Sequence, residues 1–475
     1  MSAPFCQSQP KGCSRSNSAV KILGDRIEFV STEAVNAYAN SARRHPRGQI
    51  RRLMRGIEKF GVLPIIIDAK GNVIDGHAVL EALIQLGATE IPVIRVANLT
   101  DVEIRALRLF LNRVAEDATW DADALKLEFE AIIEAELSFD LDLTGFSIGE
   151  IDLLLTESAS AERDPDDADA DASPEQQPTA KLGDLWQLGR HRLFCGDALA
   201  ETSWTALMVG IFAALVLTDP PYNVPTAGHI TTRRDGRHGE FAMAAGEMSP
   251  DAFRAFLEDL FRLCSANSGD GALVYAFIDW RSVRLMLEAG EAVFGRLINI
   301  CFWNKTNAGM GSFYRSQHEM ICVFESGKGR HRNNVELGRH GRYRTNVWTY
   351  PGANSFGSNR DTDLADHPTV KPVALLADAI MDSTARGDIV VDPFAGSGSV
   401  ILAAERTGRI AHAIEIEPGY VDVAIRRWQA RTGEKAIHAR SGLDFDTVAA
   451  MRREGKEPVR RRVRPRRLAG GAANA

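Results

Sequence analysis

Between residues 181 and 444 the chain alternates short apolar runs with longer stretches in which apolar residues recur every three or four positions. The runs are residues 213–217, 272–278, 297–303, 320–324, 389–391 and 410–414. A run with few polar interruptions suits a strand buried on both faces, which is the environment of a parallel sheet covered by helices. Residues 373–381 and 399–406 carry helical spacing directly after loop signals. The pattern predicts an α/β, doubly wound, Rossmann-like domain.

The first third reads differently. Residues 61–68 predict a strand, Lys70-Gly71-Asn72 a tight turn, and residues 73–77 a second short strand and loop. Residues 78–86 predict an amphipathic helix and residues 91–96 a third strand. This is a small α+β domain over residues 20–120. Residues 121–157 have helical periodicity with few breakers, a helical extension. Residues 158–180 are rich in Asp, Ala, Pro and Glu, too polar to order themselves by burial, and predict an acidic linker. Residues 1–19 are expected to be disordered. The main domain spans residues 181–445, and residues 446–475 form a basic tail, expected to be disordered from residue 451 onward. No internal repeat is apparent.

Length refines this picture only slightly, since 475 residues suit two or three domains. Charge changes it more. The formal net charge of -7 argues against nucleic acid, but the distribution argues for it. Acidic residues crowd 164–175, whereas basic residues crowd 330–344 and 452–467. The six cysteines show no CxxC and no metal spacing, so reduced thiols are expected. No charged-then-apolar signal stretch opens the chain, and the longest apolar run, residues 205–218, is too short to span a bilayer. A soluble, cytoplasmic protein is expected.

Two loops carry the candidate chemistry. Asp219-Pro220-Pro221-Tyr222 follows the run ending at Leu217. An exocyclic amine on a base is a poor nucleophile because its lone pair is delocalised into the ring. A carboxylate (Asp219) and a carbonyl (that of Pro220) accepting its two N–H bonds would pull the nitrogen toward a reactive geometry. The prolines stiffen the loop, and Tyr222 offers a face for a flipped base. Alone, the tetrapeptide is equally a Pro-rich turn. The second loop, Asp392-Pro393-Phe394-Ala395-Gly396-Ser397-Gly398, joins a strand to a helix. Gly396 and Gly398 permit close backbone approach, and a helix N-terminus offers free N–H donors. Glu415 ends the next strand, where an acid can bind ribose hydroxyls; Glu417 is a solvent-facing alternative.

Together these loops resemble those of the S-adenosylmethionine-dependent DNA amino-methyltransferases, which methylate adenine N6 or cytosine N4. Three more segments are similar. His367-Pro368-Thr369-Val370-Lys371-Pro372 resembles the element beside the cofactor's methionine end, and Lys371 is expected to pair with that carboxylate. The segment from Leu188 to Asp197 resembles the one whose Asp contacts the cofactor's adenine. Trp303-Asn304-Lys305, Gly309-Met310-Gly311, Tyr314-Arg315 and His318-Glu319 resemble the lining of the target-base pocket.

The resemblance implies catalysis by Asp219, Pro220, Pro221 and Tyr222. It implies S-adenosyl-L-methionine held by Asp197, Lys371, Asp392, Phe394, Gly396, Gly398 and Glu415, with no metal. The order of the loops is that of the family's beta class. DPPY leans toward adenine N6, with cytosine N4 the alternative. No cysteine follows a proline, so cytosine C5 methylation, which needs a Cys nucleophile, is rejected. The expected partner is double-stranded DNA, contacted through Arg330, Arg332, Arg339, Arg342 and Arg344, in a restriction–modification setting. A homodimer is left open, and no membrane contact is expected. The other readings are a DNA-binding regulator with a silent transferase domain and an RNA-directed transferase.

Residues 20–120 resemble the ParB-type N-terminal domain. The matching points are Asn40, Arg43-Arg44-His45, Gln49-Ile50, Phe60-Gly61, Pro64-Ile65, Gly76-His77 and Leu80-Glu81-Ala82. Ala78 and Val79 stand where that family usually has arginines, so an accessory DNA- or partner-binding role is expected rather than a nucleotide switch.

Overall fold

The computed structural model describes residues 24, 26–37, 45–117, 120–135, 139–155, 177–223, 248–306, 314–335, 344–351 and 371–458. The acidic run 164–175, the Gly309-Met310-Gly311 segment, Arg339, Arg342, His367 to Val370 and the arginines after residue 458 lie outside these residues. The chain divides into two compact units, residues 1–125 with 140–146, and residues 126–139 with 147–475.

The first unit holds β1 (Ile27–Ser31), α1 (Arg47–Phe60), β2 (Ile65–Asp68), β3 (Val73–Asp75), α2 (His77–Gln85), β4 (Glu90–Val96) and α3 (Asp101–Asp117). Its sheet runs β1-β4-β2-β3, with β2 parallel to β4 and the other pairs antiparallel. The predicted turn after β2 is held by Asp68, whose carboxylate accepts the N–H groups of Lys70 and Asn72, both at 2.8 Å. Gly76 has φ +96°, and a Cβ there would meet Ile65 at 2.6 Å, so the chain can enter α2 at this point only with glycine. Ile50 on α1 packs with Ala78 and Ala82 on α2. His77 opens α2, where burial and nearby Arg108 lower its proton affinity and favour a neutral ring.

The expected helical extension resolves into α4 (Ala122–Ala135), a 3-10 turn at Leu141–Thr144 and α5 (Ile148–Leu155). Asp152 on α5 binds Arg409 through two bonds of 2.7 Å, both groups fully buried. Such fork-to-fork pairing locks α5 onto the large domain.

That domain contains β5 (Leu185–Leu188), β6 (His191–Cys195), α6 (Glu201–Met208), β7 (Ala213–Thr218), α7 (Pro250–Ala266), β8 (Ser268–Ile278), α8 (Val283–Phe294), β9 (Leu297–Lys305), β10 (His318–Glu325), β11 (Val347–Tyr350), α9 (Val373–Ser383), β12 (Ile389–Asp392), α10 (Ser399–Thr407), β13 (Ile410–Glu415), α11 (Pro418–Thr432), β14 (Ile437–His438) and α12 (Phe445–Arg453). All six predicted strands are present. Among the described residues, ten strands run in the order β11-β9-β10-β8-β7-β12-β13-β6-β5-β14.

The expected parallel sheet is in fact mixed. The central block β8-β7-β12-β13-β6 is parallel, but β10 is antiparallel to both neighbours, and β5 is antiparallel to β6 and β14. Burial on both faces produces the apolar runs in either pairing direction, so the pattern alone does not separate the two. One cluster, with Leu215, Leu376, Ile401 and Trp428, covers one face; another, with Val216, Phe253, Leu257 and Phe261, covers the other.

The tail starts later than expected. Residues 451–453 complete α12, which Asp444 caps by accepting the Thr447 N–H at 3.0 Å. Phe445 and Val448 are buried, and Arg452 is ion-paired with Asp184, so this turn is anchored by both packing and charge.

Candidate active site

Four acids stand in a row at the carboxyl ends of adjacent parallel strands: Asp219 after β7, Asp392 ending β12, Glu415 ending β13 and Asp197 just after β6. Register ties the strands together, with Val390 opposite Leu215, Asp392 opposite Ala413 and Glu415 opposite Cys195. Ligands of open α/β sheets bind along this edge. The two loops read from the sequence therefore meet on one edge. Tyr222 from the first and Phe394 from the second pack against the same apolar cluster.

The first loop is a charged network. Asp219 Oδ1 accepts the Tyr222 hydroxyl at 2.5 Å, and Oδ2 accepts Lys371 Nζ at 2.5 Å. Glu319, on β10, accepts Tyr222 at 3.1 Å and lies 3.1 Å from Lys371 through the same oxygen, Oε2. Its Oε1 accepts Lys305 at 2.6 Å. Two ammoniums thus face two carboxylates. Burial raises the proton affinity of Asp219 against the pull of Lys371, with Glu319 adding to the rise. Burial also acts to raise that of Glu319, but Lys371 and Lys305 outweigh it and hold this carboxyl below its usual range. Lys371 is kept charged because Asp219 and Glu319 overcome its burial.

This placement corrects the expected role of Lys371. It binds the carboxylates of Asp219 and Glu319 rather than standing out toward a cofactor carboxylate. Glu319 and Lys305 are the members that residue reasoning did not single out. They entered only as parts of a pocket-lining segment, and no local spacing connects Glu319 to Asp219.

The second loop is held by backbone. Glu415 accepts the N–H of Gly396 at 2.7 Å and of Glu417 at 2.9 Å. Asp392 accepts the N–H of Phe394 at 3.0 Å. Among the described residues neither acid has an ion-pair partner. Burial pushes Asp392 up to about 8 and raises Glu415 as well. Asp197 is half-buried and caps the following turn by accepting the Leu199 N–H at 2.8 Å. A Cβ at Gly396 would point into open space, which leaves its backbone approachable. Gly398 serves another purpose: its φ is +84° and a Cβ would meet Ala424 Cβ at 2.7 Å. Glycine there lets α10 pack against α11.

The donor set bears on the ligand. Carboxyl groups with no facing cation give a phosphate nothing to pair with, whereas S-adenosylmethionine offers a sulfonium cation, an ammonium and ribose hydroxyls as complements. The residues present fit that cofactor and disfavour a nucleotide phosphate.

Of the five expected DNA contacts, Arg330 and Arg332 are exposed. Arg344 is not available. It pairs with Asp378 and Asp382, each at 3.0 Å, and lies over the Trp348 ring at 5.0 Å. This is a structural arginine fastening β11 to α9, and the expectation for it is corrected.

Residues 213–426 match the family model described as DNA methylase of the N6/N4 type. This segment is a DNA methylase domain. Residues 123–182 match a ParB-methyltransferase helix-turn-helix domain, which runs across both the expected helical extension and the expected linker. The chain is 25% identical over 227 residues to the type II methyltransferase M.HpaI of Haemophilus parainfluenzae, covering 45% of this chain and 67% of that one. It is 32% identical over 143 residues to M2.DpnII of Streptococcus pneumoniae, covering 28% of this chain and 52% of the relative. Among solved structures, that of an M1.HpyAVI–SAM complex is similar, at 20% identity and TM-score 0.37, covering 50% of this chain and 97% of that one. Among the described residues, no helix is long and apolar enough to cross a membrane.

Proposed function

We propose that the protein transfers a methyl group from S-adenosyl-L-methionine to the N6 amine of adenine in duplex DNA. The observation that carries this reading is the juxtaposition of Asp219 and Tyr222 with the Gly396–Glu415 loop on neighbouring strand ends. When bound, the cofactor supplies an electrophilic methyl group. Asp219 accepts one N–H of the target amine and the Pro220 carbonyl accepts the other, localising the nitrogen lone pair. Tyr222 stacks on the extruded base. Glu415 and Asp197 would hold the ribose and adenine of the cofactor, and Asp392 would offset its positive charge. Burial raises the proton affinity of Asp219, which suits it to take the proton that the amine releases after transfer.

Arg330 and Arg332 are proposed to contact DNA phosphate. The N-terminal unit is proposed as an accessory DNA- or partner-binding module. The test incubates protein, labelled cofactor and duplex DNA, then digests the DNA to nucleosides. Label in N6-methyladenine supports the reading, and label in N4-methylcytosine overturns the choice of base. Label absent from DNA but present in RNA overturns the choice of nucleic acid.

A further inference from the structure

We propose that Glu319 is a positioning residue: its Oε2 takes over Tyr222 and Lys371 when Asp219 accepts the target amine. The inference rests on the methyltransferase reading above.

Asp219 is not idle in this structure. Tyr222 occupies one oxygen and Lys371 the other, each at 2.5 Å. An incoming neutral amine must compete with both short, charge-assisted bonds, and against them alone it loses. Each competitor already lies 3.1 Å from a single second acceptor, Glu319 Oε2. The handover therefore needs hydrogen atoms to reorient more than heavy atoms to travel.

Glu319 is built to stay in place while this happens. Its other oxygen is held by Lys305 at 2.6 Å, and its strand is hydrogen-bonded on both sides. The Lys371 ammonium stands 5.2 Å from the Phe277 ring, 5.7 Å from Tyr222 and 5.9 Å from Trp303, so aromatic faces keep the cation between the two carboxylates. Exposure separates the roles. The Asp219 side chain is 25% exposed, against 8% for Glu319 and 5% for Lys371. Asp219 is the member open to a substrate, and Glu319 acts from behind it.

The charged and titratable groups facing Asp219 are Lys371, Tyr222 and Glu319 by contact, Asp392 from the next strand, and Lys305 through Glu319. Glu319 is a like charge that raises the proton affinity of Asp219, so its neutralisation moves that affinity down.

The test uses the full chain, labelled cofactor in single turnover on DNA from a methylation-deficient strain, and calorimetry for cofactor binding. Glu319→Gln is expected to cut the methylation rate on the order of 100-fold, with cofactor affinity within about twofold. The acid limb of its pH–rate profile moves to lower pH, a change that a merely structural defect does not produce. Glu319→Asp, which keeps the charge, recovers about tenfold of the lost rate. A Glu319→Gln rate within about threefold of the parent, with an unmoved acid limb, overturns the inference and leaves the proposed function standing. Loss of cofactor affinity in both variants also overturns it, since the role is then structural. A parent protein that binds cofactor but methylates no DNA overturns the proposed function, and this inference with it.

Discussion

The two loops at the sheet edge solve the same problem in opposite ways. Both place buried or partly buried carboxylates at the edge where ligands of such sheets bind. At the Asp219 loop the charge is balanced by side chains, with Lys371 and Lys305 set against Asp219 and Glu319. At the Asp392 and Glu415 loop the carboxylates are met by backbone N–H groups, and both acids have raised proton affinities. The first arrangement is preorganised and electrically closed, as a reaction centre needs. The second is short of positive charge, which suits a site that receives a cation and hydroxyl donors. A buried carboxylate without a cation is costly to keep ionised, and a cationic ligand removes that cost.

Removing Asp219 tests the closed side and has the largest expected effect. Asp219→Ala should lower the single-turnover methylation rate by about three orders of magnitude, within the range for loss of a general acid–base group. Cofactor affinity, measured by calorimetry, should stay near that of the parent. Parallel loss of both would mean that the two loops are one electrostatic unit, and the contrast would fail.

Glu415→Ala tests the open side with the opposite signature. The N–H groups of Gly396 and Glu417 lose their acceptor, each at a cost of about 1–3 kcal/mol if left unsatisfied. Cofactor dissociation constants should rise about ten- to a hundredfold. The rate at saturating cofactor should fall much less.

How far this contrast is legible in the chain depends on the range of each interaction. The open side is largely readable. Asp392, Gly396 and Glu415 lie on one strand–loop–helix–strand segment, and the Gly396–Glu415 bond spans only 19 residues. The closed side is half readable. Asp219 and Tyr222 share a loop, but Lys371 reaches Asp219 across 152 residues and Glu319 reaches Tyr222 across 97, distances at which spacing carries no signal. The same reason hides the antiparallel setting of β10. The short strands β5 and β6 escape the apolar pattern because Gln187 and Arg192 interrupt them. The packing role of Gly398 is not readable, because nothing local reveals that Ala424 lies against it.

A pH titration of stability sharpens the electrostatic half of the comparison. Asp392 has a folded-state value of about 8 against 3.8 for the ordinary side chain. Below both values the group is protonated in either state and contributes nothing. As pH rises between them, the unfolded chain ionises first, so ligand-free protein loses stability, by at most about 1.4 kcal/mol per pH unit from this group. Asp392→Asn removes that slope. Its melting temperature should gain on the parent's as pH rises from 5 to 8, as followed by calorimetry, and level off above that. Equal slopes in both proteins would show that Asp392 is ionised throughout, and the open side would not be short of charge. Asp184 gives the opposite sign. Burial opposes ionisation, but His438 and Arg452 hold it down to about 2, so its stabilisation is present at neutral pH and fades as pH falls from about 4 toward 2.

The arginines provide the smallest effect, and they extend the contrast between closed and open charge beyond the sheet edge. Arg344 is closed: its charge is neutralised by Asp378 and Asp382, which outweigh its burial and raise its proton affinity. Arg330 and Arg332 are exposed. Replacing this exposed pair by alanine should weaken duplex DNA binding only severalfold and reduce the slope of log affinity against log salt by about 0.9 for each phosphate no longer neutralised. Their melting temperature should not change. Arg344→Ala should leave the salt slope alone and instead destabilise the fold by about 3 kcal/mol, because the buried Asp382 is deprived of its cation while the partly exposed Asp378 loses a weaker pair. A fluorescence-anisotropy salt series and a denaturant melt on the same two proteins separate these outcomes. If Arg344→Ala flattens the salt slope while the exposed pair does not, the ion pairs with α9 must open when DNA binds, and Arg344 belongs to the DNA surface after all.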